Sequence, residues 1–440
     1  MSFKSFKSFE KMKRFVLVIF IFNFGFILFG KEKIFYLNIT DAVNLGLTRS
    51  LDIKRDENSE QKLDLQYKEV RTGLYPNISG TITYQNYLYM PDFMKNTTTD
   101  YEKSIAISLK QLIYSFGKVS HAINLAKKTK EIQSLSKIKT QIDSSYEIKI
   151  AYLNVLYTKK LLEITKESLI NAKKNKEIII SSFSNGRLNQ QDNIKMNRDI
   201  AIRIPLIKEA EVNFHLAENR LKRLLFIDEN EKIILTDDLI LNTRNLDLEK
   251  LTNQMYLAEP NIQILNKTIK IKEETANISK SNKYPTISAF ASFSPFSYTD
   301  KASIEIDKFH NLSIIGLVMS FPIFENGKYN KEYKAYLLDM ENTKLELKDL
   351  KLDLKLEIEN EIYKYSSLID IYKSYEEAFE LAKESFKLYQ EKFKFGKIGL
   401  LDLNDAELVL TQAKQNLFTS IYQINASLMK IEKLISKKEF

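Results

Sequence analysis

The hydrophobic pattern along this chain changes period twice, and the same order of changes recurs half a chain later. Ile78, Ile82 and Tyr84 alternate with Ser79, Thr81, Thr83 and Gln85, which predicts a strand over 78–89 with one dry and one wet face. Ser104 to Ile113 alternates again, after a polar loop containing Pro91. Past Gly117 the apolar residues Leu135, Ile138, Ile142, Tyr146, Ile150, Leu153, Tyr157, Leu161 and Ile164 recur in steps of three or four. That spacing predicts one amphipathic helix from Lys118 to about Phe183. A turn at 184–187 follows, then a return helix from Asp192 to about Phe226 with a kink expected at Pro205. A first helix, capped by Asn38 or Thr40, precedes the strands and ends before Pro76; a connector covers 227–245.

The second half repeats the plan. A helix spans 251–281 with a break near Pro260, strands occupy 286–294 and 311–321, and a loop runs from Pro295 to His310. A long helix runs from Lys328 to Phe395, and a final helix from Asp402 to about Ser436. Gly117 and Gly186 stand 69 residues apart, and so do Gly327 and Gly396; each second glycine precedes an aspartate, Asp192 or Asp402, by 6. Matched spacing over that length marks an internal duplication, so each half is read as one unit. Residues 350–358 break the rule: Leu350, Leu352, Leu354, Leu356 and Ile358 alternate strictly with charged residues, as a strand would. A helix with two apolar stripes, packed on two sides, accommodates the same residues, and the matching position in the other copy favours it.

Only 11 glycines and 7 prolines interrupt 440 residues, in keeping with long elements. There is no cysteine, hence no disulfide, thiolate site or cysteine nucleophile. The basic segment Lys4–Arg14 followed by the apolar run Phe15–Phe29 and Gly30 reads as a signal peptide over 1–30, with an uncleaved anchor as the alternative. The formal charge of +9 falls to +5 without those residues, and the remaining charges are interleaved, so no nucleic-acid partner is expected. His121, His215 and His310 lie far apart, and no phosphate loop, nucleophile motif or ligand spacing is present: no enzyme, no cofactor and no metal site are expected.

Four strands of membrane-spanning length are too few to close a barrel, and an open sheet leaves exposed edges. The pattern therefore calls for a barrel built from several chains, with Tyr84, Tyr87, Tyr89, Phe293 and Phe296 as an interfacial girdle; an ordinary soluble sheet over the rods' ends is the alternative.

The element order, the Leu37-x-x-Thr40-x-Ala42 opening, the Tyr75-Pro76 and Tyr284-Pro285 pairs, the corners at Gly117 and Gly327, and Gly396 followed by Asp402 and Asp405 resemble the TolC-type outer membrane efflux proteins over residues 37–436. The resemblance implies a mainly α fold with a β-barrel contribution, repeats at 31–245 and 246–440, and a homotrimer. That trimer would form a twelve-stranded barrel in the outer membrane and a twelve-helix tube in the periplasm. It implies an exit duct for drugs or secreted proteins, working with a periplasmic adaptor and an inner-membrane transporter. It also implies that Asp402 and Asp405 ring the periplasmic aperture, where six carboxylates would attract cations; the alternative is that Asp402 caps the helix and Asp405 complements its dipole in the first turn. Asp192 matches a gate-link aspartate, but its partners' positions hold Phe393 and Ile398; either Lys397 or Arg187 substitutes, or the resting gate is weaker or held by packing, and a simple helix N-cap is the alternative role for Asp192. The turns at Gly186, Arg187, Gly396 and Lys397 are the expected adaptor contact. An exported coiled-coil adhesin or scaffold is the rival reading; it explains the rods but not the strands.

Overall fold

The computed structural model describes residues 34–91, 99–184 and 190–436, with the side chains of 178–184, 190, 192 and 193 also left aside. The signal-peptide expectation for 1–30 lies outside these residues. The first repeat contains β1 (Ile34–Leu37), α1 (Ile39–Arg49), α2 (Leu51–Thr72), β2 (Asn77–Asn86), β3 (Tyr101–Tyr114), α3 (Lys118–Ser184) and α4 (Gln190–Leu225). After β4 (Lys232–Leu235), the second contains α5 (Leu248–Ala258), α6 (Pro260–Ser281), β5 (Thr286–Thr299), β6 (His310–Ser320), α7 (Lys328–Lys394) and α8 (Leu400–Leu434).

The duplication is exact in its longest parts: α3 and α7 have 67 residues each. At ~1.5 Å per residue each is a rod of roughly 100 Å. Both are entered through the same corner. Gly117 (φ 85°) and Gly327 (φ 68°) are left-handed, as are the preceding Phe116 (φ 48°) and Asn326 (φ 49°). Glycine tolerates that region because it lacks a Cβ. Phe116 stacks on Tyr284 of the other repeat with ring centroids 5.2 Å apart, and the Ser281 hydroxyl donates to the Phe116 carbonyl at 3.0 Å. The entry to α3 is thus tied to the junction of α6 and β5 in the other repeat.

Several expectations are corrected. The helix expected over 38–71 is two helices, because Ser50 is extended (ψ 122°) and its hydroxyl accepts the Ile53 N–H as a new cap. Glu259 breaks the second copy at the matching place, with Pro260 opening α6. The connector contains β4, which pairs in parallel with β1. β5 runs on through Pro295 to Thr299 rather than ending at 294. Its pairing with β3 lapses between Phe293 and Phe296, while pairing with β6 continues at Asn311. That suits a proline, which has no N–H to give. Helix α4 also continues through Pro205, and His310 begins a strand.

The sheet has the order β2-β3-β5-β6, antiparallel throughout, with β2 and β6 as open edges. Its strands come from both repeats. Among the described residues no helix is long and apolar enough to cross a membrane.

Where α1, α3 and α4 meet β1 and β4, the core holds Leu37, Val43, Ile148, Tyr152, Val155, Leu221 and Leu225. The Tyr152 hydroxyl lies 2.8 Å from Asp237 Oδ2, which also accepts the Ile39 N–H at 2.9 Å. Burial, with Asp237 alongside, pushes this phenol well above its ordinary range. The second-repeat core holds Met255, Ile262, Leu354, Ile358 and Leu434. The ambiguous 350–358 segment is therefore helical, with Leu354 and Ile358 buried and Leu352 and Leu356 exposed.

Ion pairs fasten α3 on both flanks. Lys130 reaches Asp64 of α2 and Lys267 of α6 reaches Glu131, each at 2.5 Å. Lys128 (2.5 Å) and His121 (2.6 Å) share Glu274 of α6. Lys130 and Lys68 hold the Asp64 carboxyl down to about 2 from 3.8. A depressed carboxyl supplies stability above its unfolded pKa and loses it as pH falls through the folded value. The melting-temperature difference between the wild type and Asp64→Asn is therefore expected in full at about pH 5, much reduced near pH 2 and gone about one pH unit lower. An equal difference at both values would remove Asp64 from the acid response.

Candidate gate at the helix tips

The far end of the second hairpin is built by a helix stop. Gly396 (φ 66°) lets its N–H reach the Phe393 carbonyl and the Lys397 N–H reach the Lys392 carbonyl, both at 2.9 Å. This paired reversal is a Schellman motif, which satisfies the orphan carbonyls of α7. Gly399 then caps α8. Asp402 stands three residues on, exposed, and its carboxylate accepts the Gly399 N–H at 3.0 Å. Its capping role is thus visible, and its acid also complements the helix dipole. Asp405 is exposed one turn further along. The matching tip of the first hairpin, with Gly186 and Arg187, lies outside the described residues, as does the side chain of Asp192, which belongs to the first turn of α4. Lys397 is exposed at the turn.

Phe393 and Ile398, which replace the gate-link tyrosine and arginine implied by the resemblance, enter an apolar cluster. Phe393 is buried with Met196 of α4, Phe386, Leu400 and Leu403, and Ile398 packs against it. Met196 belongs to the first repeat and the others to the second, so the repeats are held together at this level by packing.

A buried polar node lies just behind that cluster, and the sequence reading did not find it. Glu407 of α8 is 1% exposed and Arg203 of α4 is 7% exposed, and they form an ion pair. Ser168 of α3 donates to Glu407 at 2.8 Å and Thr411 at 3.1 Å, while Arg203 also donates to the Ser168 carbonyl at 3.2 Å. Asn404 adds a bond to Asp199 at 2.7 Å. Both Glu407 oxygens and both terminal nitrogens of Arg203 are bonded, and pairing of this kind is the condition for tolerating the charges inside. A signal did exist: Glu407 follows Leu400 and Leu403 on the apolar stripe of α8, and Arg203 sits between Met196 and Ile207 on that of α4. Charges of opposite sign on two dry stripes are candidates for one another.

Beside the node, α3, α4 and α8 enclose an open groove of about 970 Å³, walled by Ile202, Leu206, Leu401 and Leu408 and reached by Asp405. Among the described residues no group of three or more His, Asp or Glu is placed to hold a metal ion. The described part of the tip thus presents two exposed carboxylates, Asp402 and Asp405, on the first turns of α8.

Paired helical hairpins on a shared four-stranded sheet make a duplicated fold, and the comparisons find that fold in solved outer membrane channels. Residues 251–436 match the family model described as outer membrane efflux protein, as the resemblance implied. Among solved structures the chain is similar to the Campylobacter jejuni CmeC outer membrane channel, at 15% identity and a TM-score of 0.78, covering 90% of this chain and 85% of that one. It is similar to CusC at 15% identity and 0.77, covering 93% and 95%. The open-state Neisseria gonorrhoeae MtrE outer membrane channel follows at 15% and 0.74, covering 90% and 88%. At such identities the likeness establishes a shared fold. No curated protein matches the chain by sequence.

Proposed function

We propose that this chain is an outer membrane channel-tunnel: the exit duct of a tripartite efflux or type I secretion system, with its helical part in the periplasm. The observation that carries this reading is a sheet with two unpaired edges standing on two rods of equal length. An open edge invites another strand. Joining β2 of one chain to β6 of the next closes a barrel, and three chains supply twelve strands and twelve tube-wall helices. Equal rods then end at one depth, so a single aperture serves both repeats. The adhesin alternative leaves the open sheet edges without a purpose.

In this reading 1–30 is the export signal, and 31–245 and 246–440 are the two halves. Asp402, Asp405 and Asp192 line the aperture, and the turns at Gly186, Arg187, Gly396 and Lys397 meet a periplasmic adaptor. The inner-membrane transporter chooses the cargo, small molecules or proteins. The trimer should need detergent for extraction and give discrete conductance steps in a planar bilayer; a mature protein that stays soluble without detergent would refute the duct. Asp402→Ala combined with Asp405→Ala is expected to weaken cation selectivity and trivalent-cation block, because six carboxylates leave one constriction. Unchanged selectivity would take both residues out of the gate.

A further inference from the structure

The Arg203–Glu407 node bears on how the aperture is held. Glu407 lies on the same helix as Asp402 and Asp405, five and two residues beyond them. At 3.6 residues per turn these spacings place both aspartates on faces turned away from Glu407. Whatever fixes Glu407 therefore fixes the rotation and depth of both. Its partners come from the other repeat: Arg203 on α4 and Ser168 on α3, all three buried. At the tip itself, where the resemblance implied ionic links, Phe393 and Ile398 supply only packing, which resists separation but directs rotation weakly.

We infer that the Arg203–Glu407 pair is the joint that sets the rotation and depth of the α8 tip against the first hairpin, and so positions Asp402 and Asp405; this rests on the duct reading. Arg203 and Glu407 act as positioning residues through the backbone of α8 and do not themselves meet the ions that pass. A bidentate-capable guanidinium and a carboxylate suit this task, since their pairing is directional where apolar packing is not.

The test uses purified full-length trimers in planar bilayers, with hexaamminecobalt as the trivalent probe. Arg203→Met with Glu407→Gln removes both charges at similar volume, so neither is left buried alone. Arg203→Glu with Glu407→Arg exchanges them. The neutral pair is expected to keep the trimer and its melting temperature, to conduct at several levels in place of one, and to be blocked about threefold or more weakly. The exchanged pair is expected to restore a single level and the block. A neutral pair that conducts and is blocked like the wild type would overturn the joint and leave the duct standing. So would a folded exchanged pair that restores nothing, and a neutral pair that loses the trimer would make the contact merely structural. A wild type that never conducts would bring down the duct reading, and the joint with it.

Discussion

Glu407→Ala is expected to destabilise the protein by about 3–5 kcal/mol, at least on the scale of truncating a core leucine beside it. The reason is what remains rather than what is removed. Arg203 is 7% exposed and would keep its charge without a counter-ion, while the Ser168 and Thr411 hydroxyls would lose the carboxylate they donate to. Truncating an ordinary core leucine on the same stripe, such as Leu403, falls in a range of about 2–5 kcal/mol, from lost contacts and a cavity. Glu407→Gln, which keeps shape and one acceptor, should cost less than the alanine. Chemical denaturation of the three variants separates these cases. If Glu407→Ala unfolds at the wild-type midpoint, the ion pair is not buried in the protein as it exists in solution.

Leu352→Glu combined with Leu356→Glu is expected to abolish trimer assembly while leaving the fold of the single chain intact. Leu352 and Leu356 are 58% and 57% exposed on α7, one turn apart, opposite the stripe that buries Leu354 and Ile358. Leu338 and Leu345 extend the exposed row. Closing a ring gives each helix a second neighbour, and that row is the surface left for it. Burying two unpaired carboxylates in three interfaces outweighs the packing gained there. Size-exclusion chromatography in detergent, with circular dichroism as the check on folding, reads the outcome. A variant that still migrates as a trimer would place this face elsewhere, against lipid or solvent.

How much of this was legible beforehand differs by element. The long helices, both return helices and the four sheet strands appear near their expected places, because each buries one face and so prints its own period on the chain. The even alternation of 350–358 left strand and helix both open by period, and the matching place in the other copy decided for the helix that the structure has. Ser50 was missed as a break because a serine inside a helical pattern carries no steric mark; its capping bond forms only once the chain turns there. The short strands β1 and β4 pair across about two hundred residues, and four residues are too few to show a period. At the tip, the acidic residues and the glycine turn could be named from the chain. The Arg203–Glu407 node left only a faint mark, two opposite charges on apolar stripes, because a buried charge becomes plain only when its partner is seen beside it.

The amino-acid sequence by itself determined the duplication, the equal rods, the strand-bearing middle of each repeat and the location of Asp402 and Asp405 just past a turn. These are local or periodic properties, readable wherever each residue's own preferences settle its conformation. Only the tertiary structure decided which surfaces meet: β3 of one repeat beside β5 of the other, an apolar cluster of Phe393 and Met196 at the tip, and a buried ion pair between α4 and α8. Such contacts join residues some two hundred positions apart, and their energy depends on mutual burial and geometry that no single stretch of the chain carries.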